Sequence, residues 1–289
     1  MSLDDAVLMR ESKAQHEDAI PAEPGARPRV NLLAKDHQWG RIAAAWLRAL
    51  FPDAVVHLGA VGMPLPEGLG RDPAASAGTC RRRHILLSFL SPWIVPQTVL
   101  DRFAVAINFH PGSREYPGTG CYNFALYEGA REYGCVAHHM LARVDRGRII
   151  AERRFPMAED ETVESLQFKT LAVMLGLYSE ILAMLAAGAC LPILEQGWTR
   201  PPFRRRQLDA LMRITADMPI GEVRRRLRAT DYPGFLNAWI DRPDGRYHYG
   251  LREGPALAFR QDLFAIDPEE RPTSAEGTKA PRPRDTAGA

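Results

Sequence analysis

Apolar and polar positions follow one another along the chain in blocks that predict strands and helices in turn. The short apolar runs of strand length are residues 30–34, 54–58, 84–89 and 103–109. Between the first two runs, residues 39–51 place Ile42, Trp46 and Leu50 at helical spacing. This alternation predicts a doubly wound, Rossmann-like α/β domain with a partly parallel sheet.

The pattern continues with two further helices and two further strands. Residues 122–133 and 162–187 predict the helices, and residues 134–141 and 148–156 predict the strands. The second helix is the most apolar stretch of the chain, but Tyr178-Ser179-Glu180 interrupts it. We therefore expect a buried helix there and no membrane span.

The composition changes after about residue 200. An arginine-rich stretch at residues 203–207 precedes two predicted helices, 208–218 and 220–229. Residues 238–249 predict a β-hairpin, because Asp244-Gly245 is a strong turn signal. The expected organisation has four parts: a polar, disordered leader (1–28), the α/β domain (29–200), a small C-terminal α+β appendage (201–266) and a disordered tail (267–289).

Composition narrows the class of protein. The chain has 289 residues and a net charge of +2, so no strong basic field favours a nucleic-acid partner. Its four cysteines include no Cys-x-x-Cys pair, which argues against a structural zinc site and a disulfide framework. The charged N-terminus has no apolar signal core, so we expect a cytoplasmic protein without membrane attachment.

Three polar residues stand out as candidate catalytic groups. Asn108 and His110 lie at the end of the apolar run 103–109, and Asp145 follows further along the chain. In open α/β sheets, ligands bind outside the carboxyl ends of the strands. An amide, an imidazole and a carboxylate at that edge can stabilise charge and move protons in one small site.

These residues belong to four ordered motifs, which are Asn-x-His-Pro (108–111), Tyr-Pro-Gly-x-Gly (116–120), Gly-Cys-Val-Ala-His-His-Met (134–140) and Asp-x-Gly-x-Ile-Ile (145–150). Together they resemble the 10-formyltetrahydrofolate-dependent formyltransferase family. The resemblance covers roughly residues 29–187 and continues more weakly to about residue 250. The phrase at 108–124 is most similar to the sugar N-formyltransferase branch. It lacks the Leu-Leu-Pro expected near 113–117 in the methionyl-tRNA and glycinamide ribonucleotide branches.

The resemblance implies roles for individual residues. Asn108 would donate to the oxyanion and His110 would transfer protons. Asp145 would fix the His110 tautomer, hold a water or accept a proton, and the identity of the general base stays open. The implied folate-binding residues follow two predicted strands and are Ser88, Phe89, Leu90, Ala142, Arg143 and Val144. The implied acceptor-binding residues are Tyr116, Tyr122, Asn123 and His138. Arg114 and residues 204–206 are candidates to meet a diphosphate, although solvated arginines are the favoured interpretation of 204–206. The His138-His139 pair has no third ligand at useful spacing, so no metal is expected.

The resemblance predicts transfer of a formyl group from 10-formyltetrahydrofolate to a small amine, with a nucleotide-linked amino sugar as the first choice. Methionyl-tRNA could be the acceptor instead, but it calls for a larger C-terminal domain and a basic surface. Three more hypotheses stay open: formylation of hydroxyornithine, hydrolysis of the formylfolate by water, and a binding module without activity. Apolar Phe235, Trp239 and Tyr247 in the appendage would suit a homodimer contact.

Overall fold

The computed structural model describes residues 28–71, 84–233 and 237–249. The chain divides after Ala210 into two compact units, so residues 201–210 group with the first unit rather than with the predicted appendage. The predicted tail, and the predicted leader up to residue 27, lie outside the described residues.

The first unit is built on a six-stranded sheet. Its strands are β1 (Arg29–Lys35), β2 (Val55–Gly59), β3 (His84–Phe89), β4 (Val105–His110), β5 (Glu132–His139) and β6 (Ile149–Pro156). The spatial order is β2-β1-β3-β4-β5-β6. The first four strands are parallel, whereas β5 runs antiparallel to β4 and β6 antiparallel to β5. The predicted α/β fold with a partly parallel sheet is confirmed.

In the part of the chain that the structure describes, four helices accompany the sheet, and they are α1 (Gln38–Leu50), α2 (Gln97–Leu100), α3 (Cys121–Glu128) and α4 (Val163–Ala186). A fifth helix, α5 (Arg205–Met212), spans the boundary between the two units. The Thr162 and Ser165 side chains and backbone amides cap the start of α4 reciprocally. By length and composition α4 could cross a membrane, but its apolar face packs into the core of the sheet, as predicted for a buried helix.

An aromatic cluster fixes the centre of the core beneath the candidate residues. Phe89 on β3 and Phe109 on β4 both meet the ring of Tyr178 edge-on, with centroid distances of 5.3 and 4.9 Å. Edge-to-face contacts of this kind add roughly 0.5–1.5 kcal/mol each beyond their buried area. The cluster therefore holds the carboxyl ends of β3 and β4 firmly in place.

One predicted helix is shorter than the apolar pattern suggests. The prediction extended it from 122 to 133, but α3 ends at Glu128 and β5 begins at Glu132. Gly129 adopts a left-handed conformation (φ 69°) that ends the helix. The prediction was therefore wrong beyond residue 128. Likewise, the helix predicted at 208–218 is α5, which ends at Met212.

The second unit is small. It contains α6 (Ile220–Thr230) and a three-stranded sheet of β7 (Arg213–Ile214), β8 (Trp239–Arg242) and β9 (Gly245–His248). Strands β8 and β9 form the predicted hairpin, turning at Asp244-Gly245. Its apolar core comprises Ile214, Val223, Leu227, Ala238, Ile240 and Tyr249.

Candidate active site

The candidate site begins at the end of β4. Asn108 and His110 are two residues apart on this strand, so their side chains project from the same face. The antiparallel register of β5 places His138 directly opposite Asn108. As a result Asn108 Nδ2 lies 3.1 Å from His138 Nε2, and the Asn108 oxygen accepts a hydrogen bond of 2.8 Å from Ser88 Oγ.

Asp145 lies between the two histidines. Its Oδ2 is 3.2 Å from His110 Nδ1, and its Oδ1 is 3.2 Å from His138 Nε2. The backbone amide of Gly118 also donates to Oδ2 at 2.8 Å. The structure therefore brings the three predicted catalytic residues together and adds His138 as a second imidazole on the same carboxylate.

The environment of Asp145 favours its charged form. Burial by itself would raise the pKa of Asp145, but His110, His138 and the Gly118 amide together hold that pKa well below its ordinary value. The backbone of Asp145 is left-handed, with φ of 48°, a conformation that Asp tolerates better than most residues. A permanent anion at this point can stabilise a proton on either imidazole.

Backbone carbonyls fix the far side of each imidazole. His110 Nε2 lies 2.9 Å from the Tyr116 carbonyl oxygen, and His138 Nδ1 lies 2.8 Å from the His139 carbonyl oxygen. Gly112 leaves the room that His110 needs, because a Cβ atom there would lie 2.6 Å from His110 Nε2. The two rings are thus oriented from both ends, which suits groups that must exchange protons at defined positions.

The residues predicted to bind folate fall into two groups. Ser88 and Phe89 are buried at the end of β3, and Leu90 follows them with a left-handed φ of 52°. Ala142, Arg143 and Val144 are exposed on the loop that leads to Asp145. The first group thus joins the catalytic residues through the Ser88–Asn108 hydrogen bond, and the second lies on the loop that precedes Asp145.

Most of the residues predicted to bind the acceptor are buried in the structure. Tyr116 and Tyr122 are buried, and Asn123 is half-buried on α3. Burial, together with neighbouring Glu128, raises the pKa of Tyr116 to about 12. His138 contacts Asp145 and Asn108, as described above.

Arg114, which was predicted to contact a diphosphate, interacts with two glutamates of the protein. Its Nε lies 3.4 Å from a Glu115 oxygen, and its backbone amide donates to Glu152 at 3.1 Å. The side chains of residues 204–206 are exposed, as the solvated interpretation of this run expects.

Sequence patterns missed an aromatic residue that covers the site. Trp198 lies on an irregular stretch after α4, and its indole meets the rings of His110 and His138 edge-on, at centroid distances of 5.7 and 5.2 Å. Irregular segments carry no periodic pattern, so the sequence held no signal for this contact. Within the described residues, no group of three or more His, Cys, Asp or Glu side chains is placed to hold a metal ion.

An amide, two imidazoles and a carboxylate therefore lie within hydrogen-bonding distance of one another at the carboxyl end of β4. The family model for formyl transferase matches residues 85–182, which extend from β3 into α4 and include Asn108, His110 and Asp145. Residues 85–182 are thus similar to the formyl transferase family, in agreement with the resemblance of the motifs.

Solved structures share the fold at low sequence identity. A protein of Mycobacterium tuberculosis, described as a candidate sugar N-formyltransferase, matches with a TM-score of 0.63 and 20% identity over 78% of this chain and 98% of its own. A sugar N-formyltransferase from a Shewanella species gives 0.62 and 19% over the same shares. An N-formyltransferase from Helicobacter canadensis, solved with folinic acid and dTDP-3-aminofucose, gives 0.54 and 15% over 75% of this chain and 84% of its own.

Proposed function

We propose that the protein transfers the formyl group of 10-formyltetrahydrofolate to the amine of a nucleotide-linked amino sugar. The observation that carries the proposal is the convergence of Asn108, His110 and Asp145 at the carboxyl end of β4, within the segment that matches the formyltransferase family. The resemblance in sequence implied these three roles, and the geometry supports them.

The chemistry follows from what each side chain can do. The amine nitrogen bonds to the formyl carbon, and the carbonyl oxygen becomes an oxyanion that the Asn108 amide can stabilise. One preorganised donor of this kind contributes roughly 3–4 kcal/mol in well-studied acyl-transfer sites. The C–N10 bond then breaks, a proton leaves the attacking nitrogen and another reaches N10 of the folate.

The imidazoles and Asp145 handle these protons. The imidazole of His110 is suited to proton transfer, and the Asp145 carboxylate lies 3.2 Å from its Nδ1, where it can stabilise the protonated form. Asp145 itself stays ionised because its pKa is held low, so it acts through charge and orientation. This chemistry requires no metal.

The donor would lie against the loops that follow β3 and β5. Folate pockets are largely apolar, with backbone groups that read the pterin edge. Ser88, Phe89 and Leu90 supply one wall in this proposal, and residues 142–144 supply the other. The bound folinic acid in the Helicobacter canadensis protein supports a folate donor for a chain of this fold.

The choice of acceptor rests on the branch of the family. The phrase at 108–124 resembles the sugar N-formyltransferase branch. The Mycobacterium tuberculosis and Shewanella proteins are matched over 98% of their lengths, and the Helicobacter canadensis protein holds a nucleotide-linked amino sugar.

We place the activity in the cytoplasm, where the free thiols of Cys121 and Cys135 would stay reduced. A homodimer is also part of the proposal.

The test is an assay of tetrahydrofolate release from 10-formyltetrahydrofolate with nucleotide-linked amino sugars, methionyl-tRNA, hydroxyornithine and no amine. Release that depends on a nucleotide-linked amino sugar, with the formylated sugar as product, supports the proposal. The His110→Asn variant should lose about 10²–10⁴-fold in turnover, the usual contribution of a positioned proton-transfer group. His57→Asn, on the more exposed strand β2, is the matched control. Release with methionyl-tRNA alone would show that methionyl-tRNA is the acceptor. Equal release with and without an amine would show that water is the acceptor. Either outcome would contradict the proposal.

A further inference from the structure

Three ionisable groups of the candidate site are almost completely shielded from solvent. The side chains of His110, His138 and Asp145 are only 6%, 2% and 4% exposed. Such groups must still meet their substrates, so the side chains that cover them decide which molecules can approach. Trp198 is one of these covers, because its ring lies against both imidazoles at 76° and 82° to their planes.

Trp198 is held in place by its own hydrogen bond. The indole N–H donates to the Gly147 carbonyl at 2.8 Å, two residues beyond Asp145. Gly147 is itself fixed, because a Cβ atom there would lie 1.7 Å from the His139 carbonyl oxygen. The acceptor of the indole hydrogen bond therefore lies on backbone that packs closely against the end of β5.

Trp198 lies on residues 194–203, which we call the return segment, and hydrogen bonds on both sides of Trp198 hold this segment in place. The Leu194 amide donates to the Ile149 carbonyl at 2.8 Å, which ties one end to β6. At the other end, Phe203 donates to Pro117 at 2.8 Å and accepts from Thr119 at 3.0 Å, on either side of Gly118. Gly118 is the residue whose amide binds Asp145, so the return segment and the carboxylate share one support.

We propose that Trp198 is a positioning residue that keeps water away from the reacting formyl group and holds the two imidazoles edge-on. The inference rests on the proposed formyl transfer. It gives the enzyme a means of directing the formyl group to an amine instead of to water. In the competing hydrolysis, the water oxygen bonds to the formyl carbon and the C–N10 bond breaks. One proton of the water goes to N10 and the other is released, leaving formate and tetrahydrofolate.

The physical basis is the exclusion of water from a charged cluster. With water excluded, the interaction of Asp145 with the imidazoles is screened less, and side reactions with solvent are suppressed. Replacing the indole by a methyl group removes an apolar wall from beside both rings and leaves space that water can fill. The amine reaction depends on binding of the acceptor, whereas hydrolysis depends on this space.

The first test measures formate and formylated amine together for Trp198→Ala, Trp198→Phe and the control Trp46→Ala, whose ring is partly exposed on α1. Trp198→Ala should raise the ratio of hydrolysis to transfer about tenfold or more, because it lowers the barrier to hydrolysis relative to the barrier to transfer. Trp198→Phe keeps an aromatic wall but loses the hydrogen bond to Gly147, so its ratio should lie between those of wild type and Trp198→Ala. Trp46→Ala should stay close to wild type. A purely structural role would lower both products together, and an unchanged ratio in Trp198→Ala would overturn the inference.

A second test does not depend on formyl transfer. Carbethoxylation of histidines by diethyl pyrocarbonate, mapped by mass spectrometry, should modify His110 and His138 several-fold faster in Trp198→Ala than in wild type. The partly exposed His37 and His57 are internal controls whose rates should not change. Equal rates at His110 and His138 would show that Trp198 is no cover. If wild type formylates no amine but these rates rise, the proposed function fails while the cover itself stands.

Discussion

Replacement of Asp145 by Asn removes one negative charge from between two imidazoles and keeps the shape of the side chain. At the observed 3.2 Å to each histidine, a carboxylate and an imidazolium attract by about 5 kcal/mol at an effective dielectric constant of about 20. The asparagine oxygen can still accept a hydrogen bond from the Gly118 amide, but the side chain carries no charge to stabilise an imidazolium. We expect turnover to fall by about 10²–10⁴-fold, which corresponds to roughly 3–5 kcal/mol.

The assay is single-turnover formyl transfer at saturating donor, alongside a direct measurement of folate binding. Binding of the donor should change little, because Asp145 makes its observed contacts to His110, His138, Asn108 and Gly118. Asp209→Asn, which removes an exposed carboxylate from α5, is the matched control. Turnover of Asp145→Asn within about threefold of wild type, with an intact fold, would correspond to less than about 0.7 kcal/mol and would refute the electrostatic role.

Three further predictions concern packing and pH. Gly112→Ala places a Cβ atom 2.6 Å from His110 Nε2 and 2.8 Å from the Tyr116 carbonyl, so turnover should fall by about 10²-fold through misplacement of the imidazole; steady-state kinetics check this. Tyr178→Phe removes a buried hydroxyl that has no hydrogen-bond partner among the described residues, so thermal unfolding should show unchanged or higher stability, by up to about 1–3 kcal/mol. Because the pKa of Asp145 lies below its ordinary 3.8, its stabilising contribution is complete above that pH and is lost as the pH falls further; acid unfolding should show a smaller loss in Asp145→Asn than in wild type.

Local patterns predicted most of the first unit. Each short apolar run became a strand of the central sheet, because a buried parallel strand needs apolar residues on both faces. Asn108 and His110 could be placed at a ligand-binding edge from the same pattern. The role of Asp145 came only from the resemblance, since nothing in its local sequence shows that the loop folds back onto β4.

Contacts that depend on register or on irregular backbone were not predictable. The pairing of His138 with Asn108 follows from the antiparallel register of β5, and no local pattern encodes that register. Trp198 reaches the site through a segment without periodicity. The ion pair of Arg114 with Glu152 depends on the position of β6 in the same way.

Leu90 and Asp145 are, among the described residues, the non-glycine positions with left-handed backbone, and both lie on loops next to the candidate site. For Leu this conformation costs roughly 1–2 kcal/mol, so the loop stores energy that a glycine would release. Leu90→Gly would release this cost, but it would also remove the packing of the Leu90 side chain against the core of the sheet and increase the freedom of the unfolded chain. The same exchange would increase the freedom of a wall proposed to hold the pterin. Selection for heat resistance and selection for donor affinity should therefore both retain Leu90, although its backbone conformation alone would favour glycine.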